Sequence, residues 1–155
     1  AVVFVDFDGV LTTDKDKLLM GSQTYLHPAQ VGMLNDIVDR SGAVVVVSST
    51  WRFDSNTPQI LRAAGFTGAF HPDGWRTGPY RDSRGDELVE ALRVFRPARF
   101  VFLDDDPSVP PMLKAHHVQP DPSKGLGPLH VDDALFALSL TPDPRCYHGV
   151  ATAVD

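Results

Sequence analysis

Three short apolar runs constrain this chain more than any other feature: Val2–Val5, Ala43–Val47 and the stretch led by Arg99 that runs to Leu103. Each is dense in β-branched or aromatic side chains and lacks polar alternation. That pattern suits a strand buried on both faces, as in parallel sheets covered by helices. Between the first two runs, Pro28–Arg40 sets Val31, Leu34, Ile37 and Val38 at helical spacing, opens on a proline and stops at Gly42. Strand, helix and strand in that order predict a right-handed parallel crossover. The alternation continues with a helix over Pro58–Ala64, a short strand over Phe66–Phe70, a helix over Asp86–Phe95 and the Arg99–Leu103 strand. A short helix over Val109–Ala115, an edge strand over His117–Gln119 and a helix over Val131–Leu140 complete the series. The expected architecture is α/β: a three-layer, Rossmann-like fold with a mainly parallel central sheet. One domain over residues 1–140 is expected, followed by an irregular, proline-rich tail over 141–155.

With 155 residues, 43% apolar and 22% charged, the chain is long enough for one core and too apolar to be disordered. Its single cysteine, Cys146, has no internal disulfide partner. The opening apolar run is cut by Asp6 and Asp8, far too early for a signal peptide or a membrane span. A cytoplasmic protein with no membrane partner is the expectation. A net charge of −6 argues against coating nucleic acid by general electrostatics, although local contacts stay open. Six of the ten arginines fall between Arg76 and Arg99 among acidic residues, the pattern of a helix face with paired charges.

Chemistry-bearing residues collect where the predicted strands end. Asp6 and Asp8 follow the first, Ser48 to Thr50 the second, and Asp104 to Asp106 the Arg99–Leu103 strand. In open parallel sheets ligands bind beyond the carboxyl ends of the strands, so these residues are expected in one crevice. Carboxylates crowded together repel one another unless a cation lies between them. No histidine and cysteine set has zinc spacing, so a hard divalent ion, Mg2+, is the fitting choice. His116, His117 and His71 read as ordinary structural or surface residues.

The run Asp6-Phe7-Asp8-Gly9-Val10-Leu11-Thr12 resembles the first motif of the haloacid dehalogenase (HAD) superfamily. The resemblance implies that Asp6 attacks phosphorus as a covalent nucleophile and that Asp8 is the general acid and base, protonated at the outset. It also implies Mg2+ held by Asp6, by the backbone carbonyl of Asp8, and by Asp104 and Asp105, the last two resembling the fourth motif. Gly9 belongs with the phosphate-binding residues. Ser49 resembles the second motif, a hydroxyl donating to the phosphoryl group; Ser48 is the alternative, and the other serine caps the turn. Arg84, in Arg84-Gly85-Asp86-Glu87-Leu88, takes the place of the third-motif lysine as a phosphate clamp, with Arg81 as its rival. Asp106 is expected to cap the following turn.

Members of the superfamily commonly carry a cap domain over the site. Here residues 11–26 leave room for a flap alone, and the segment Phe53–Ser83 is taken up by a helix, a strand and a loop. An open site admits a macromolecular end. Ser49-Thr50-Trp51-Arg52, Asp54-Ser55-Asn56 and Gly125-Leu126-Gly127 are similar to the capless branch that includes 3′-phosphatase domains of polynucleotide kinase-phosphatases and RNA-repair proteins. Trp51 as a base-stacking surface and Arg52 as a phosphate contact are the implied substrate residues. The expected activity is phosphomonoester hydrolysis at a nucleic-acid 3′ end. The alternatives are a nucleotide or small-metabolite phosphatase, a phosphoprotein phosphatase, and an inactive binding module that keeps the fold.

Overall fold

The structure is a computed structural model and describes residues 1–148. Val2–Val5 form β1, Val44–Val47 β2, Phe100–Leu103 β3 and His117–Val118 β4; the sheet order is β2-β1-β3-β4 and every pairing is parallel. The apolar runs behave as their composition requires. Val3, Val5, Val45, Val47, Val101 and Leu103 face one core, while Val2, Phe4, Val46, Phe100 and Phe102 face the other. Successive side chains of a strand point to opposite faces, so a strand that feeds two cores cannot alternate with polar residues.

Helices α2 (Pro28–Ser41), α3 (Thr57–Ala63) and α5 (Pro128–Ser139) cover the first face, with Leu34, Ile37, Leu61, Ala134 and Leu138 buried there. Helix α4 (Arg84–Phe95) covers the second through Leu88, Val89 and Leu92. These are the three expected layers. The flap carries one short helix, α1 (Asp14–Met20), capped by the Thr13 hydroxyl at its start and by left-handed Gly21 at its end. No cap domain is evident among the described residues.

Three expectations need correction. Phe66–Phe70 is not a strand: only Phe70 bridges Val45 and only Arg76 bridges Val47, with the turn at Pro72 and Gly74 looping out between them. This segment edges the sheet beyond β2 without a continuous ladder, as a proline between the two bridges dictates. Val109–Ala115 forms a 3₁₀ turn over Pro111–His116, since Pro110 and Pro111 lack the N–H groups a regular helix start would use. The tail is not wholly irregular: Pro144–His148 form another 3₁₀ turn that buries Cys146 in the α4-side core. The rest of the expected tail, 149–155, lies outside the described residues. No helix among the described residues is long and apolar enough to cross a membrane.

Candidate active site

The sheet ladder runs one residue past each central strand. The Asp6 N–H donates to Leu103 O at 2.9 Å, the Ser48 N–H to Val5 O at 2.9 Å and the Asp104 N–H to Val118 O at 3.1 Å. Because Val5 is in register with both Val47 and Leu103, Ser48, Asp6 and Asp104 stand side by side on neighbouring strands. Neighbouring strands lie about 4.8 Å apart, so side chains at one level and on one face are in contact range. Sequence separation of about forty and then fifty-six residues thus collapses into one row.

Arg84 meets this row from the first turn of α4, whose start is fixed by the Ser83 hydroxyl accepting from the Asp86 N–H. Its Nε lies 3.3 Å from Asp104 Oδ2 and its Nη2 3.8 Å from Asp6 Oδ1. Its Nη1 donates to the Ser48 carbonyl and lies 3.5 Å from Glu87 Oε1. Burial opposes the Arg84 charge, but the carboxylates of Asp104, Asp6 and Glu87 outweigh it and hold the guanidinium protonated.

One cation does not balance the acids. Burial first, then repulsion from Asp104, drives Asp6 well above the usual carboxylate range, against the pull of Arg84. Burial likewise lifts Asp104 to about 6, again against Arg84. Asp6, Asp104 and Asp105 bring carboxylate oxygens within 4.8 Å of one another. The Nε of Arg84 attracts Asp104 Oδ2 without hydrogen-bond geometry, so this buried oxygen has no donor. An all-carboxylate set with an orphaned buried oxygen fits a hard divalent cation.

Gly9 shapes the same cluster. It holds φ +80°, and a Cβ there would stand 2.4 Å from Asp105 Oδ2, so only glycine lets the loop and that carboxylate approach so closely. Its N–H donates to Thr12 O at 2.8 Å. That donor is engaged inside the turn, and what the glycine contributes to the cluster is room for Asp105.

Asp8 has a separate setting. One carboxylate oxygen accepts from Lys17 Nζ at 2.6 Å and the other from Trp51 Nε1 at 3.0 Å. Two donors on different elements fix the plane of this carboxyl group. Its carboxylate is not among the Asp6, Asp104 and Asp105 oxygens that lie within 4.8 Å of one another.

The structure gives the two serines different surroundings. Ser49 caps the 3₁₀ turn Thr50–Phe53, its hydroxyl accepting from the Trp51 N–H at 3.2 Å. Ser48 Oγ is buried with no partner, in the row beside Asp6. Trp51 and Arg52 are also placed differently from expectation. The Trp51 ring packs edge-on against Phe7, with centroids 5.1 Å apart, and its N–H serves Asp8. Arg52 is 1% exposed. Its guanidinium donates to the carbonyls of Ser48, Ser49 and Gly78 and pairs with Glu87 at 3.2 Å, leaving it no access to a substrate phosphate. Arg81 is exposed, with its backbone N–H directed at Glu87, so Arg84 alone of the two reaches Asp6. Asp106 accepts from the Ser108 N–H and hydroxyl and caps its turn.

Lys17 and Glu87 are the site residues that sequence reasoning missed. Lys17 lies on the flap, eleven positions after Asp6, and nothing in the local pattern ties it to Asp8. Glu87 is a visible i+3 partner of Arg84, but its second partner, Arg52, is thirty-five residues away.

An open parallel sheet with a buried aspartate, a buried hydroxyl, an arginine and paired acids at successive strand ends is the arrangement of a HAD domain. The chain belongs to the family of HAD domains in Swiss Army Knife RNA repair proteins, which it matches over residues 2–131. No curated protein and no solved structure matches it significantly.

Proposed function

We propose that this domain is a Mg2+-dependent phosphomonoesterase that removes the phosphate from an RNA 3′ end through an aspartyl-phosphate on Asp6. The observation that carries the proposal is the division between two carboxylates two residues apart. Asp6 sits buried in a three-carboxylate cluster beside Arg84, whereas Asp8 is held outside that cluster by Lys17 and Trp51. A cation bound in the first setting would keep Asp6 ionised for attack, and the second setting fixes the orientation of a carboxyl group that is free of that cation and can carry a proton.

In the first half-reaction an Asp6 oxygen attacks phosphorus, the bond from phosphorus to the ester oxygen breaks, and Asp8 gives its proton to the departing oxygen. In the second, Asp8 takes a proton from water as that water's oxygen attacks phosphorus. Inorganic phosphate leaves and the Asp6 carboxylate is restored. Arg84 steadies the transferring oxygens from the α4 side, and a Ser48 or Ser49 hydroxyl donates from β2. Asp6, Asp104 and Asp105, with the Asp8 carbonyl, would hold Mg2+, which offsets repulsion between an anionic nucleophile and an anionic phosphate.

The RNA end as substrate rests on the family match and on a site with no cap domain over it. The test compares a 3′-phosphorylated oligoribonucleotide with the matching 3′-mononucleotide. Higher kcat/KM for the oligonucleotide supports the reading, and preference for the mononucleotide points to a small-metabolite phosphatase instead.

A further inference from the structure

The rings of Phe53 and Tyr80 make a tilted contact, with centroids 4.6 Å apart and planes 37° from parallel, yet Phe53 is 49% and Tyr80 64% exposed. Neither ring contributes to either core cluster, so core packing does not explain the pair. Its support comes from below. The Arg52 guanidinium lies 4.4 Å from the Phe53 centroid and 5.5 Å from that of Tyr80. The same guanidinium holds the Ser48 and Ser49 carbonyls at the end of β2 and, through Gly78 O at 2.8 Å, the loop that carries Tyr80. The aromatic pair is therefore tied by one buried side chain to the row that contains Asp6.

A cleft joins the two places. A cavity of about 250 Å³ is lined by Thr50, Tyr80, Arg81, Arg84 and Asp106, so the phosphate clamp and the platform share one cleft. Tyr80 and Arg81 also line a larger hollow of about 690 Å³ along the outer side of α4, which continues the path away from the site. The lining is polar and of mixed charge, with Asp82, Asp86 and Glu90 beside Arg81 and Arg93. Such a surface does not attract an apolar protein segment, and it is not basic enough to hold a polyanion by charge alone. It suits a flat, polar-edged aromatic group stacked on an exposed ring.

Resting on the RNA-end reading above, we propose that this cleft seats the terminal nucleoside of the phosphorylated strand, its base on Tyr80 with Phe53 and Arg52 as the backing. Thr50 and Ser83, which both line the cleft, offer hydroxyls to the sugar edge.

The test measures kcat/KM for a 3′-phosphorylated oligoribonucleotide and for an aryl phosphate, in the wild type, in Tyr80→Leu and in Tyr80→Trp. Loss of one base-stacking contact lowers the oligonucleotide-to-aryl-phosphate ratio about tenfold or more in Tyr80→Leu, and the tryptophan variant restores it. A second readout uses Asp6→Asn protein and an oligonucleotide with 2-aminopurine as its terminal base. Stacking quenches the fluorescence, and adding Tyr80→Leu removes the quench. An unchanged ratio with an unchanged quench overturns the platform, as does an equal fall on both substrates. A wild type that shows no preference for the oligonucleotide refutes the RNA-end reading itself, and that arm separates the two failures.

Discussion

Replacing Asp104 with asparagine stabilises the metal-free protein at neutral pH while removing much of its response to Mg2+. Asp104 is 1% exposed, one of its oxygens has no donor, and its carboxyl is lifted from 3.8 to about 6. Between those values the folded chain keeps a proton that the unfolded chain has released, so stability falls as pH rises through this window. A lift of that size is worth about 3 kcal/mol once the group is fully ionised. Asparagine keeps an oxygen for the Asp106 N–H that Asp104 Oδ1 accepts at 3.0 Å, and it carries no charge. In a chelator, the variant should therefore match the wild type near pH 4 and exceed it at pH 7.5 by about 3 kcal/mol, roughly 6–12 °C in Tm for a domain of this size. His116 and His117, both pushed down chiefly by burial, affect both proteins alike and cancel in the difference. Thermal melts across pH 4–8, with and without Mg2+, read the effect directly. A variant less stable than the wild type at pH 7.5 in chelator would refute the reasoning. The Arg84–Asp104 pair would then outweigh the burial cost, and the acids would form a self-sufficient ion-pair network.

Two further outcomes follow from the same geometry. Gly9→Ala drives a Cβ into Asp105 Oδ2 at a left-handed φ, so the half-saturating Mg2+ concentration in a turnover assay should rise about ten- to hundredfold. Lys17→Met removes the 2.6 Å contact to Asp8 and the link from α1 to the crevice; kcat should fall about ten- to hundredfold, with faster hydrogen exchange in residues 14–20.

Legibility in the sequence followed the range of the interactions. Runs such as Val44–Val47 announce their strands because two-sided burial demands an unbroken apolar string. Asp6 and Asp104 were legible as site residues for the same reason, since a polar residue at the end of such a string sits at the sheet's carboxyl edge. What composition could not show is which buried charge meets which partner. Arg52 reads as a surface cation beside a tryptophan, yet it is sealed inside because Glu87 and three carbonyls satisfy it from distant positions. Trp51 reads as a base platform, but its N–H finds Asp8, forty-three residues away. The exposed pair of Phe53 and Tyr80 was invisible for the same reason: twenty-seven residues separate two rings that touch.

The central claim, that Asp6 carries the phosphoryl group, is tested most directly by rapid acid quench during turnover of a phosphorylated substrate with Mg2+, followed by peptide mass analysis. The account predicts a phosphorylated peptide spanning residues 1–15, with the modification on Asp6, absent from Asp6→Asn and absent when the metal is chelated. Sustained phosphate release by Asp6→Asn, or turnover in which no quench time yields covalent phosphate on Asp6, would contradict it.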